Sequence, residues 1–154
     1  MKNNETRLKE LGLSIPQIPP AAGAYVPAVR AGNLVFCSGQ APFKDGKFLY
    51  TGLLGGDLTL EQGYDAARIS ALNCLAEICS IAGSVNNIVR IVQVRGFIAS
   101  APGFHDQPRV LNGASELLID IFGDAGRHAR SAIGTSVLPK NTPVEVEMVV
   151  EVKA

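Results

Sequence analysis

The reading of the fold turns on a stretch near the end of the chain, His128-Ala129-Arg130-Ser131-Ala132-Ile133-Gly134-Thr135-Ser136-Val137-Leu138-Pro139-Lys140-Asn141-Thr142-Pro143-Val144-Glu145-Val146-Glu147-Met148-Val149-Val150-Glu151. β-Branched residues crowd both sides of Pro139-Lys140-Asn141-Thr142-Pro143, so it reads as two strands joined by a Pro-containing turn. In the second strand Val144, Val146 and Met148 point one way, and Glu145 and Glu147 the other. A hairpin of this kind brings Arg130 towards the end of the second strand, and register decides whether it lies beside Glu145. A guanidinium held near a carboxylate can bind a small carboxylic acid and activate a water. The plainer reading is a cross-strand salt bridge on a solvated sheet face, and these residues by themselves favour it.

Bulk composition narrows the alternatives. The 154 residues suit one domain with its own hydrophobic core. Lys plus Arg and Asp plus Glu both number 14, so no long-range field favours nucleic acid or an anionic membrane. Aromatic residues make up 6% of the chain and Trp is absent, which argues against a base-stacking platform. Zero formal charge with 47% hydrophobic residues favours self-association. Cys37, Cys74 and Cys79 show neither zinc-ligand spacing nor a Cys-x-x-Cys motif, and His105 and His128 add little to a metal site. The cysteines read as reduced core residues of a cytoplasmic protein, with no metal. No apolar run reaches the length of a membrane span.

Outward from the opening stretch, residues 1–12 read as a short amphipathic helix, and residues 14–22, with three prolines, as an extended lead-in. Residues 1–22 thus form an N-terminal extension to a domain over 23–154. Tyr25–Arg30 and Leu34–Ser38 read as strands around Ala31-Gly32-Asn33. Ser38-Gly39-Gln40-Ala41-Pro42 breaks the second, Gly39 permitting close approach of another group. Gly52, Gly55 and Gly56 mark a loop expected to be mobile. A helix begins near Thr59, carries an apolar stripe from Leu60 to Ile78 read as core, and ends at Ala82-Gly83-Ser84. Ile88–Ile98 alternates with apolar residues on both sides and reads as a central strand covered on both faces, the second face by a neighbouring subunit. A second helix spans about 106–122. His105 and His128 fall in loops, where exposure is the default, and neither is given a role. The order ββ, helix, β, helix, ββ is α+β, with the two main helices on one face of a mixed sheet.

Taken in order, Gly23-Ala24-Tyr25, Ala28 to Phe36, Ser38 to Pro42, the Ala-rich helix ending in Ala82-Gly83, Asn112, Ala129-Arg130-Ser131, Leu138-Pro139-Lys140 and Val144-Glu145-Val146-Glu147 resemble the RidA (YjgF) family, historically labelled endoribonuclease L-PSP. The resemblance runs from about Gly23 to Val152. It implies a chorismate-mutase-like subunit assembled as a homotrimer with clefts between subunits. It also implies hydrolytic deamination of reactive enamines and imines such as 2-aminoacrylate, giving 2-keto acids and ammonia without a metal or organic cofactor. Carried over, Arg130 clamps the carboxylate of a small substrate and Glu145 orients or deprotonates the attacking water. Tyr25 lines the cleft, backbone groups at Gly39 touch the substrate, and Asn112 holds the cleft wall. Ala132 departs from the pattern, since many members carry Cys at that position. Glu147 shares a face with Glu145, and one of the two is expected to be a solvated or interface carboxylate. Two further classes stand beside the deaminase: a non-catalytic binder of small keto or amino acids using the same cleft, and a ribonuclease, against which the balanced charge argues.

Overall fold

A computed structural model describes residues 3–21 and 23–154. Asn3 caps the first helix, α1 (Asn4–Glu10), by accepting from the Thr6 N–H. Strand β1 (Ala28–Ala31) pairs antiparallel with β2 (Leu34–Gln40), and Ala31 opposite Leu34 leaves Gly32-Asn33 as a two-residue turn. Gly32 sits at φ 60°, where a side chain would be strained. A two-residue ladder, β3 (Phe43–Lys44) with β4 (Lys47–Phe48), follows. The long helix α2 (Leu60–Ala82) opens on a capping box, Thr59 with Gln62, and ends where Gly83 takes φ 83°. Then come β5 (Ile88–Ala99), α3 (Gln107–Phe122), β6 (Ala129–Thr135) and β7 (Val144–Val152).

The main sheet runs β1-β2-β7-β5-β6. β6 lies parallel to β5, while β7 lies antiparallel to both β5 and β2. The expected hairpin between β6 and β7 is therefore absent, because β5 lies between the two strands. A parallel pair requires a crossover, and α3 supplies it between β5 and β6. The Pro-containing segment is a 3₁₀ turn, Pro139–Asn141, in which Lys140 and Asn141 both take φ 56°. This connection passes the end of β5, where the Ala99 N–H donates to the Pro143 carbonyl and the Ser100 N–H to the Thr135 carbonyl.

The alternation expected along β5 also shifts phase. Register irregularities between Ile88 and Arg90 and between Ile91 and Gln93 leave Ile88, Ile91, Val94, Gly96 and Ile98 on the buried side. That side packs against α2 and α3, with Val144, Val146, Met148, Val150 and Val152 from β7. Each fully buried aliphatic side chain here contributes about 1.5–3 kcal/mol on leaving water. The opposite face is open and carries Val29, Phe36, Val92 and Ile133, with Phe36 and Ile133 each 45% exposed.

Two peripheral segments are more firmly held than their composition suggests. The glycine-rich loop is anchored: Leu54 is fully buried, its N–H donates to Ala99, and its carbonyl accepts from Ala101. The N-terminal extension folds back on the domain, with Leu8 buried and Leu11, Leu13 and Ile15 against the core. Ala22, the last residue of that extension, lies outside the described residues.

The helices α2 and α3 pack closely at Gly113, where a Cβ would fall on the Tyr64 carbonyl. Gly113→Ala is therefore expected to lower stability by about 3 kcal/mol, read as a lower urea midpoint at unchanged slope.

Candidate functional site

The chain carries two polar clusters, and the sheet lies between them. Arg130 is level with Val94 on β5, which is level with Met148 on β7, so all three point to the helix side. Glu145 is level with Phe97, an odd number of positions away, and points to the open side. Within one chain Arg130 and Glu145 cannot form the expected pair.

Arg130 extends from β6 onto α3. One terminal nitrogen donates to Asn112 Oδ1 at 2.9 Å and to Ser115 Oγ at 3.1 Å, and the other reaches the Pro108 carbonyl at 3.3 Å. Asn112 and Ser115 are three positions apart on α3 and so share a helix face. Asn112 is thus a partner of the arginine. Ser115 Oγ is also 2.9 Å from His128 Nε2, and His128 Nδ1 is 2.7 Å from the Gly126 carbonyl. The carbonyl can only accept, so Nδ1 carries the proton, Nε2 accepts from Ser115, and Ser115 accepts from Arg130. His128 is accordingly half-buried and hydrogen-bonded, contrary to the exposed loop residue expected, whereas His105 is exposed. Burial holds the His128 imidazole below its ordinary value, with Arg130 adding to the effect and the Gly126 hydrogen bond opposing it.

Glu145 belongs to the second cluster. It lines a cavity of about 490 Å³ with Tyr25 and Gly39. A Cβ on Gly39 would lie 2.9 Å from the Glu145 carboxyl carbon, so this glycine is needed for the close approach. Tyr25 is 54% exposed, a wall residue of the cavity. Burial, with Glu147 nearby, raises the Glu145 carboxyl above the ordinary carboxylate range. Glu147, its side chain 36% exposed, pairs with Arg95 at 3.4 Å. The prolines of the lead-in, Pro19 and Pro20, form another wall, and Lys140 lies at the rim, 5.5 Å from the centre of the Phe48 ring.

The residues expected from the sequence therefore fall into two groups, Arg130 with Asn112 and Glu145 with Gly39 and Tyr25. Ser115 and His128 were missed, although the i, i+3 spacing of Asn112 and Ser115 and the nearness of His128 to Arg130 were visible. Among the described residues, no three His, Cys, Asp or Glu side chains cluster as metal ligands, and no helix is long and apolar enough to cross a membrane.

An α+β subunit of this topology with these two clusters defines a class, and comparison with known proteins agrees. Residues 5–152 match the family described as "YjgF/chorismate mutase-like, putative endoribonuclease". The chain belongs to that family. It is 39% identical to protein TCP17 of Trypanosoma cruzi over 94% of this chain and 91% of that one. A crystal structure of a protein of unknown function from Agrobacterium tumefaciens is 41% identical and superposes with a TM-score of 0.89, covering 98% of this chain and 92% of the other. A 2-iminobutanoate/2-iminopropanoate deaminase of Dermatophagoides farinae is 27% identical over 92% of this chain and 95% of its own.

His128 binds a proton less readily folded than unfolded, so its contribution to stability is present above the unfolded value near 6.5 and is lost as pH falls through the lower folded value. Glu145, with a raised folded value, works in the opposite sense. Comparison of wild type with His128→Gln isolates the histidine: the wild type should lose urea stability relative to the variant between pH 7.5 and 5.

Proposed function

We propose that the protein hydrolyses reactive enamine and imine acids of the 2-aminoacrylate type to 2-keto acids and ammonia, at sites completed between subunits of a homotrimer. The observation that carries this reading is the division of charge: a part-buried guanidinium lies on one side of the sheet and a cavity-lining carboxylate on the other. Each alone is half of a site for a small imino acid. Arg130 of one subunit, facing the cavity of its neighbour, completes the pair. The open, apolar sheet face supports the same assembly, since a neighbour covering Val29, Phe36 and Ile133 removes apolar area from water.

In this site Arg130 holds the substrate carboxylate through parallel hydrogen bonds, and Asn112 and Ser115 fix the guanidinium in that orientation. Water oxygen adds to the imine carbon as Glu145 takes a water proton, which it then passes to the nitrogen. In the resulting carbinolamine Glu145 moves the hydroxyl proton to the nitrogen, the C–N bond breaks, ammonia leaves and the keto group remains. A carboxylate whose pKa is raised by burial is a stronger base for this step. The imine is already electrophilic, so position accounts for much of the acceleration. The three free thiols suit a reducing compartment, and we place the activity in the cytoplasm. The same cleft could serve a non-catalytic binder of keto or amino acids, and the imine assay separates the two. Balanced charge and the lack of Trp weigh against ribonuclease action.

The decay of 2-iminopropionate generated by an amino acid oxidase tests the reading. Arg130→Ala and Glu145→Gln should each lower kcat/KM about thirtyfold or more. Unfolded together and reassembled in equal amounts, the two inactive variants should recover about a quarter of wild-type activity, since only clefts joining an intact Arg130 to an intact Glu145 work. No decay with the wild type, alongside measurable keto-acid binding, would leave the binder. Activity without recovery on mixing would place both groups in one subunit.

A further inference from the structure

The cavity around Glu145 is larger and chemically more specific than a three-carbon acid requires. Its volume of about 490 Å³ lies in the range of sites for sizeable organic ligands. Pro19, Pro20, Phe43 and Phe48 contribute apolar walls, and Asn73 and Glu77 of α2 line its helix side. Asn73 is 1% exposed and Glu77 6% exposed. The Asn73 amide nitrogen donates to the carbonyls of Ala41 and Phe43 at 2.9 and 2.8 Å, which fixes the amide and turns its carbonyl oxygen away from them. Among the described residues that oxygen accepts no hydrogen bond, and the Glu77 carboxylate has neither a hydrogen bond nor an ion pair.

Among the described residues the buried side-chain oxygen left without a partner is that of Thr135, so the Glu77 and Asn73 oxygens open into the cavity although both residues are largely removed from water. Burial duly raises the Glu77 carboxyl above its ordinary value. Asn73 and Glu77 are four positions apart, so both project from one face of α2 onto the cavity. Lys140, the lysine lining this cavity, lies over the Phe48 ring and makes no ion pair with Glu77. The helix side of the cavity thus presents an amide oxygen and a carboxylate. Its apolar walls suit a methylene chain, and a terminal ammonium or guanidinium would satisfy the acceptors.

We infer that Glu77, with Asn73, selects imino acids whose extended side chain ends in a cation, the kind formed when a basic amino acid is oxidised at its α-carbon. This rests on the deaminase reading for the position of the reacting carbon, near Glu145 at the other side of the cavity. The side chain then runs past Phe43 and Phe48 and ends at Glu77. The reaction that supplies the substrate is a two-electron oxidation of an amine to an imine, and the product is a keto acid that keeps its cationic end.

The test compares imines generated from arginine and from norleucine by the same amino acid oxidase, with wild type, Glu77→Gln and Glu77→Leu. The wild type should favour the guanidinium imine over the apolar one in kcat/KM, and Glu77→Gln should reduce that ratio about thirtyfold, the expected loss when one member of a buried charge pair is removed. Calorimetric binding of L-arginine and L-norleucine to the same proteins provides a readout independent of turnover. Glu77-dependent preference for arginine without imine decay would sink the deaminase reading and leave the selectivity assignment standing. Imine decay indifferent to side-chain charge, and equal in ratio between wild type and Glu77→Gln, would overturn the assignment alone. Stability distinguishes a binding group from a structural one. The unfavourable contribution of Glu77 grows as pH rises through its raised folded value, so Glu77→Gln should have the higher urea midpoint at pH 8, with the advantage shrinking towards pH 4. A lower midpoint for Glu77→Gln at pH 8 would mark Glu77 as a packing partner and overturn the inference.

Discussion

The arrangement rests on the parallel pairing of β6 with β5. Once α3 carries the chain back across the sheet, β6 can pair only on the far side of β5 from β7, and the register Val94 to Arg130 sends the guanidinium towards the helices. The register Phe97 to Glu145 sends the carboxylate the other way. Had the two strands formed a hairpin, the opposite charges would neutralise one another on a solvated face, where such a pair is worth about 1 kcal/mol or less. Separated by the sheet, each is left able to act on a third partner. Arg130 is held by neutral groups, Asn112, Ser115 and the Pro108 carbonyl, so its full charge remains.

The helix side also explains why the guanidinium holds a defined position. It is braced by a chain of hydrogen bonds ending on a backbone carbonyl, from Arg130 through Ser115 and His128 to Gly126. The chain has a direction, because Nδ1 must donate to a carbonyl. A protonated imidazole would carry a donor on both nitrogens, leaving the Ser115 hydroxyl proton without its acceptor and placing a second positive charge near Arg130. Burial that keeps the imidazole neutral therefore preserves the position of the arginine.

Local features with a local cause were legible in the sequence. Thr59 and Gln62 announce a helix start through side chains that satisfy free N–H groups, Gly83 ends the same helix at positive φ, and Gly32-Asn33 permits a tight turn. The apolar burden on β5 was legible too, although two register irregularities shift its phase from strict alternation. The partner of β6 was not, since the Pro-containing segment 139–143 looks the same whether it closes a hairpin or carries the chain past a third strand. The site was legible in pieces for the same reason. Arg130, Glu145, Tyr25, Gly39 and Asn112 could be named, but their division between two sides of the sheet follows from strand order. Ser115 and His128 were hidden because a serine in an apolar helix and a histidine in a loop have ordinary explanations until the arginine is placed beside them.

Glu77 was hidden by the helix it occupies. From Ala66 to Ile78 that helix is largely buried and made of small or apolar residues, the composition of an element packed tightly on a sheet. Packing alone would favour an apolar residue at position 77, since filling a void gains contact energy and burial of the residue removes part of the carboxylate's solvation. The cavity in front of it is bounded by Phe43 and Phe48, which pack edge to face 5.2 Å apart, and by the prolines of the lead-in. Proline fixes its own φ and loses little entropy when it forms a wall. A void with stiff apolar walls and an unpaired charge at one end does not collapse to relieve the cost, and the same stiffness keeps its acceptors arranged for a cationic guest.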